Sequence, residues 1–329
     1  MNISHIILYA IVPILVIMLL GFVSGKRGVF SGDDAKKFNK VVLNYALPAA
    51  LFVSIVQASR ADLVKDIKLT LISIVGIMFC FMLVYFVFKY CFKKNTGADA
   101  AVSALISGSP TIGFLGFAVL EPIFGTSPSV ALVVAIVGIV VNAIGIPVGL
   151  SLMNASLEKS APQTAGKHES AWKPVIRALK QPVAWAPILA VVWVVVGIPW
   201  PAYLSPSFDL IAKANASMAV FSAGIILSAI RLDINRQAVL GSIFKMVLMP
   251  AVLLCMGLIF KMDPLNLKML VAAGSLPPAF SGIIIADEYN TYIATGTSSL
   301  TLSIILFIGF CPLWIWLTDM AINAHMFGF

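Results

Sequence analysis

Long apolar runs separated by short charged clusters make up most of the chain. Crossing the hydrocarbon takes about 20 mostly apolar residues. Read between charges, ten segments meet that requirement: 5–24, 38–58, 69–89, 99–120, 129–152, 181–199, 209–230, 239–260, 267–287 and 293–318. All are predicted to be helical, because a lone backbone segment in lipid must satisfy its own polar groups. The eighth is the weakest, since Lys245 interrupts it. The fourth and ninth are interrupted differently, by Ser107-Gly-Ser-Pro-Thr-Ile-Gly113 and Gly274-Ser-Leu-Pro-Pro-Ala-Phe-Ser-Gly282.

The only long hydrophilic connection runs from Asn154 to Lys180 and divides the segments into two groups of five. The expected organisation is a first repeat over 1–153, a cytoplasmic linker over 154–180 and a second repeat over 181–329. An odd number of spans per half makes the second half enter from the opposite side, so related halves would form an inverted repeat. Pro110 precedes Glu121 by eleven residues and Pro277 precedes Glu288 by eleven, a faint trace of such a relation. Basic residues orient the spans. With the N-terminus outside, fifteen lie in cytoplasmic loops and five (Arg60, Lys65, Lys68, Lys261, Lys268) in outer ones. Both termini are therefore expected outside. Met1 to Gly25 carries no charge and Lys26-Arg27 follows, which predicts a first span rather than a cleaved leader.

Composition agrees. Apolar residues make up 60% of the chain, charged residues 11%, and the mean hydropathy is +1.01. So few charges cannot cover the surface of a soluble domain, where about a quarter of residues are charged. The formal charge of +8 comes from loop clusters, not from a basic face interleaved with stacking aromatics, which argues against a nucleic-acid partner. Cys80, Cys91, Cys255 and Cys311 lie in or beside apolar runs without C-x-x-C spacing and read as buried packing residues. His5, His168 and His325 fall at span ends or in a loop, so no metal or other cofactor is expected. An enzyme would need His, Asp, Glu or Cys clustered at depth, and no such cluster is visible.

Chemistry concentrates at the two interruptions. A helical proline removes a hydrogen bond and crowds the preceding turn. In one span, a kink packed with small residues explains such a pattern. Two interruptions at matching places favour a midplane site made of broken helices. Each second half-helix would start with unpaired N–H groups at a positive dipole end, suited to a carboxylate. No charge occurs between Ala100 and Leu120 or between Met269 and Ala286, so no embedded carboxylate marks an ion relay there. Asn44, Asn142, Asn215, Ser217 and Ser222 are polar residues within other spans, where helix–helix hydrogen bonds are the usual role. Lys245 is expected to snorkel to the inner surface, with a substrate-gathering role as the alternative.

These residues resemble a known family, the auxin efflux carriers, which includes plant carriers and bacterial malonate or malate carriers. Thr111-Ile-Gly-Phe-Leu-Gly116 with Ile123-Phe-Gly125 is similar to its fourth-span motif. Pro277-Pro-Ala-Phe-Ser281 with Ala286 and Tyr289, then Thr301-Leu-Ser303 and Pro312-Leu-Trp314, resembles its last two spans. Leu47-Pro-Ala-Ala-Leu-Phe52 resembles its second span, and Ala219 to Gly224 its seventh. Thr111 stands where the family usually has Asn, and the proline usual near Ser217 is absent.

The resemblance implies an all-α membrane protein of ten transmembrane helices. It would be a 5+5 inverted repeat with broken, crossing helices in spans 4 and 9, a scaffold of spans 1, 2, 6 and 7, and an elevator-type movement. The expected activity is secondary transport of small organic anions, malonate- or malate-like, across the inner membrane. A sodium-coupled organic anion symporter of a related inverted-repeat family is the alternative. The expected substrate-contacting residues are Asn44, Pro48, Ser109, Pro110, Thr111, Gly113, Ser217, Pro277, Pro278 and Ser281. The expected partners are a small carboxylate and the lipid bilayer, and a homodimer is allowed.

Overall fold

A computed structural model describes residues 11–56, 67–160, 182–229 and 234–324. Most of the 154–180 connection lies outside these residues. The described residues are helical apart from turns and one isolated β-bridge. In chain order the helices are α1 Val12–Lys26, α2 Gly32–Val41, α3 Leu47–Val56, α4 Ile67–Tyr90, α5 Gly97–Ser107, α6 Ile112–Phe124, α7 Pro128–Ile139 and α8 Ile146–Ser160. There follow α9 Pro182–Val196, α10 Ser205–Ala212, α11 Ala214–Ala229, α12 Arg236–Ile243, α13 Met249–Ile259, α14 Pro264–Gly274, α15 Phe280–Glu288 and α16 Ile293–Asn323. Five continuous helical stretches are long and apolar enough to cross a membrane: Ile67–Tyr90, Pro128–Leu157, Ala202–Ala229, Arg236–Ile259 and Ile293–Asn323. Lys245 therefore does not break the eighth segment. Shorter apolar helices include α1, α5 and α6.

Local chemistry sets the starts of these helices. Ser31 and Thr96 open α2 and α5 with reciprocal bonds to Asp34 and Asp99, which satisfies two otherwise orphaned donors at each end. Ser127 before Pro128 and Asp263 before Pro264 cap α7 and α14, with proline at a position whose N–H needs no partner.

Three helices contain a single wide π-helical turn, Val42–Ala46, Val140–Gly145 and Phe244–Leu248. Each precedes a proline: Pro48, Pro147 and Pro250. A helical proline crowds the carbonyl four residues back, and in all three cases that residue (Asn44, Ala143, Met246) lies within the wide turn. The extra residue per turn accommodates the ring without breaking the helix. The Met246 carbonyl, left without its helical donor, accepts the Trp314 indole N–H at 2.8 Å.

Packing gathers the helices into two groups. α1 lies against α11 in the most extensive contact, and α3 lies against α9 and α10. The second group comprises α4 to α8 with α12 to α16, joined to the first mainly through α6 against α11 and α7 against α3. The α1–α11 seam is tight because of its glycines. A Cβ at Gly21 would sit 2.1 Å from the Phe221 carbonyl oxygen, and one at Gly224 would sit 2.0 Å from that of Met18. Without lipid-excluding forces between helices, such close backbone approach is how they hold together in membranes.

Candidate functional site

The two interruptions meet. α5 ends at Ser107 and α6 starts at Ile112, while α14 ends at Gly274 and α15 starts at Phe280. The strands of chain between them run antiparallel, with Pro110 opposite Pro278. The Thr111 N–H donates to the Pro277 carbonyl at 2.9 Å, and the Ala279 N–H donates to the Ser109 carbonyl at 3.0 Å. Prolines cannot supply these donors, so the residue after each proline does. Both second half-helices start at this pair of bonds. Their first N–H groups, on Ile112, Gly113, Phe280 and Ser281, have no carbonyl a turn earlier in the same helix. Thr111 is 3% exposed, and its hydroxyl has no hydrogen-bond partner. Phe114 and Phe280 close one side with ring centroids 5.7 Å apart. Behind the crossing, Ser107 and Ser299 lie with hydroxyls 3.4 Å apart, and Ser242 donates to the Ser299 carbonyl at 3.0 Å.

A cavity of about 520 Å³ opens farther along α6, between α3, α10 and α11. Its lining includes Phe117, Glu121, Asp209, Lys213 and Asn215. At roughly 30 Å³ per water it has room for a small organic acid with its hydration. Phe117 lies six residues beyond Thr111, or about 9 Å along the helix. A second cavity of about 440 Å³ shares Phe117, Glu121, Thr126 and Lys213 and adds Ser217. Asn215 is 1% exposed, and neither its amide nitrogen nor its oxygen has a partner. An orphaned side chain of this kind costs folding energy unless water or a ligand fills the cavity.

The residues expected from sequence fall in three places. Ser109, Pro110, Thr111, Pro277 and Pro278 are buried together at the crossing, and Gly113 and Ser281 sit in the first turns that leave it. Gly113 also faces α3, where an added Cβ would come within 3.1 Å of Leu47. Asn44 and Pro48 line a separate groove with Trp185 and Phe208, between α3, α9 and α10. Ser217 is exposed beside the second cavity, and its hydroxyl faces the Lys213 carbonyl at 3.4 Å. The bridge sets Pro110 opposite Pro278, so the eleven-residue match counted from Pro277 is offset by one. Thr111 thus corresponds to Ala279, and only one side of the crossing carries a hydroxyl there.

Other readings change more. Lys245 does not snorkel: it is fully buried, and its ammonium donates to the Gly274 carbonyl. The wide turn Phe244–Leu248 holds it, and charge counting along a straight helix does not reveal that displacement. Asn142 bonds within its own helix, to the Gly138 carbonyl at 2.9 Å, instead of across to a neighbour. Ser222 does bond between helices, reaching Asn39 on α2 at 2.6 Å. Cys80 and Cys311 are buried, whereas Cys91 and Cys255 are exposed. Along the chain Glu121 is no more than a spacing marker after Pro110, and Asp209 and Lys213 stand in the first turns of a span, where charge is ordinary. Only the fold brings them together with Asn215.

Comparison with known proteins agrees with this architecture. Residues 6–315 match the family described as membrane transport protein. The chain is 52% identical over 308 residues to "Uncharacterized transporter YfdV" of Escherichia coli K12, covering 94% of this chain and 96% of that one. It is 24% identical to "Putative malonate transporter" of Rhizobium meliloti, over 90% of this chain and 91% of that one. It is 20% identical to "Auxin efflux carrier component 8" of Arabidopsis thaliana, over 90% and 93% respectively. The paired helix breaks, the apolar spans and a family match along nearly the whole chain lead to one conclusion: this is a membrane transporter of the auxin efflux carrier family, and not an enzyme.

Proposed function

We propose that the protein carries small carboxylates, malonate- or malate-like, across the inner membrane by alternating access, with the substrate carboxylate held where α5–α6 and α14–α15 cross. One observation carries this reading: two half-helix starts are locked side by side through Thr111 and Ala279, next to a buried hydroxyl without a partner. Converging N–H groups at positive dipole ends attract an anion without any arginine. The 24% identity to a putative malonate transporter supports the substrate class. On this reading, spans from 1–153 and 181–329 form inverted halves of a ten-helix carrier with both termini outside. α1 to α3 with α9 to α11 act as the scaffold, and the other helices move against them as an elevator. The Phe117–Asn215 cavity, on the outer side in this orientation, is the entrance.

The sodium-coupled alternative draws on carbonyls at half-helix ends. The Gly274 carbonyl already accepts the Lys245 ammonium, so uptake is expected to proceed in sodium-free buffer. The test is uptake of labelled malonate into proteoliposomes, with malonamide as competitor. Malonate should compete strongly and malonamide weakly. Equal competition would remove the dipole argument, and a strict sodium requirement would restore the alternative.

A further inference from the structure

Among the described residues, Lys245 is the one buried side chain that bears a charge. No carboxylate lies within ion-pair distance of it among those residues, and its titratable neighbour is the thiol of Cys80 on α4. The lysine of the neighbouring half-helix α14, Lys268, is paired with Asp319 on α16. Among the described residues, the Lys245 side chain thus lies buried in the protein with a carbonyl dipole as its partner and no counter-charge. Such a group is expensive, and within a membrane it is usually paired.

Its position gives a reason for tolerating it. The Lys245 ammonium sits on the last carbonyl of α14, three residues before Pro277. Three peptide units span at most about 11 Å, and the Pro277 carbonyl holds the Thr111 N–H at 2.9 Å. The ammonium thus stands within one to one and a half nanometres, roughly, of the converging N–H groups. It also offsets the negative end of α14, which would otherwise oppose an anion at the crossing.

We propose that Lys245 is the counter-charge of the transported anion, completing across the crossing an ion pair that the protein leaves half made. This rests on the crossing as substrate site and adds that a full positive charge, beyond the helix dipoles, selects the anion. Two unit charges at such a separation, with an effective dielectric constant near 20, alter binding by roughly tenfold. A lysine that merely caps α14 would not discriminate between charged and neutral ligands.

The experiment uses the full-length purified protein, with malonate and malonamide as probes in calorimetric titration. Lys245→Gln keeps a donor for the Gly274 carbonyl but loses the charge, and Lys245→Arg keeps the charge. Lys245→Gln should lose about tenfold in malonate affinity with malonamide unchanged, and Lys245→Arg should stay close to the parent. Equal malonate affinity in Lys245→Gln and the parent overturns the proposal, as does an equal loss for malonate and malonamide. If Thr111→Val loses malonate while Lys245→Gln does not, the crossing remains the site and the counter-charge alone is wrong. A parent that binds neither malonate nor any other small carboxylate overturns the proposed function and this inference with it.

Discussion

Replacing Thr111 with valine tests the crossing most directly, because the structure gives the substitution two effects of opposite sign. The hydroxyl is buried, and without ligand it has no partner. Leaving a buried polar group unsatisfied costs about 1–3 kcal/mol, and a methyl group of nearly the same size removes that cost. The ligand-free Thr111→Val protein should therefore be more stable than the parent, with a higher melting temperature in detergent. A hydrogen bond to a charged ligand is worth about 1.5–3 kcal/mol, so malonate affinity should fall roughly ten- to a hundredfold. The ligand-induced rise in melting temperature at a fixed malonate concentration should shrink accordingly. Measuring both quantities on one preparation separates function from packing. A valine variant that melts earlier and still binds malonate like the parent would show that the hydroxyl serves the fold, and the site would have to be sought elsewhere.

Two further outcomes are expected. Asn215→Leu removes two unpartnered groups from the cavity wall, so it should raise stability by about 1–3 kcal/mol less whatever cavity water supplies; if the cavity is the entrance, the KM for uptake from that side should rise several-fold, and an unchanged KM would take Asn215 out of the path. The backbone N–H of Ser31, then its hydroxyl, then Lys37 hold the Asp34 carboxyl down from 3.8 to about 2; because the folded value is the lower one, the capping contribution is complete above the ordinary carboxylate range and fades as pH falls toward about 2, so amide-exchange protection in the first turn of α2 should hold from pH 7 to 5 and be weakened across that range in Asp34→Asn.

How much of this could be read from the chain varies with the kind of interaction. Helix breaks at Pro110 and at Pro277-Pro278 were legible because proline acts locally, through a missing donor and a steric clash. Their pairing was legible only as a suspicion, since the register depends on which carbonyl meets which N–H, and a repeat spacing cannot resolve one residue. Pro48, Pro147 and Pro250 have the same local chemistry yet leave their helices unbroken. A wide turn before each makes room for the ring, and at Pro250 Trp314, 68 residues beyond Met246, also answers the freed carbonyl; Pro312 stays within α16 without such a turn, so the proline alone does not decide the outcome. Lys245 was misjudged for the same reason: its depth depends on the turn that carries it and on Gly274, which no count of charges along one helix includes. Asn215 shows a third case. A polar residue in a span reads as a helix–helix bond until the structure shows that nothing meets it.

The meshed glycines of α1 and α11 also constrain how the molecule can deform. With Gly21 against the Phe221 carbonyl and Gly224 against that of Met18, each helix has the other's backbone seated in its own groove. Sliding along this seam would carry the side chains one turn away on the same faces, such as Met18 and Val220, over those carbonyls, so the two helices would have to part first. The pair therefore behaves as one beam. α6 also packs on that beam, against α11, but two cavities flank the contact, so travel there displaces water and side chains instead of interlocked backbone. On the proposed elevator reading, relative motion is directed to that face.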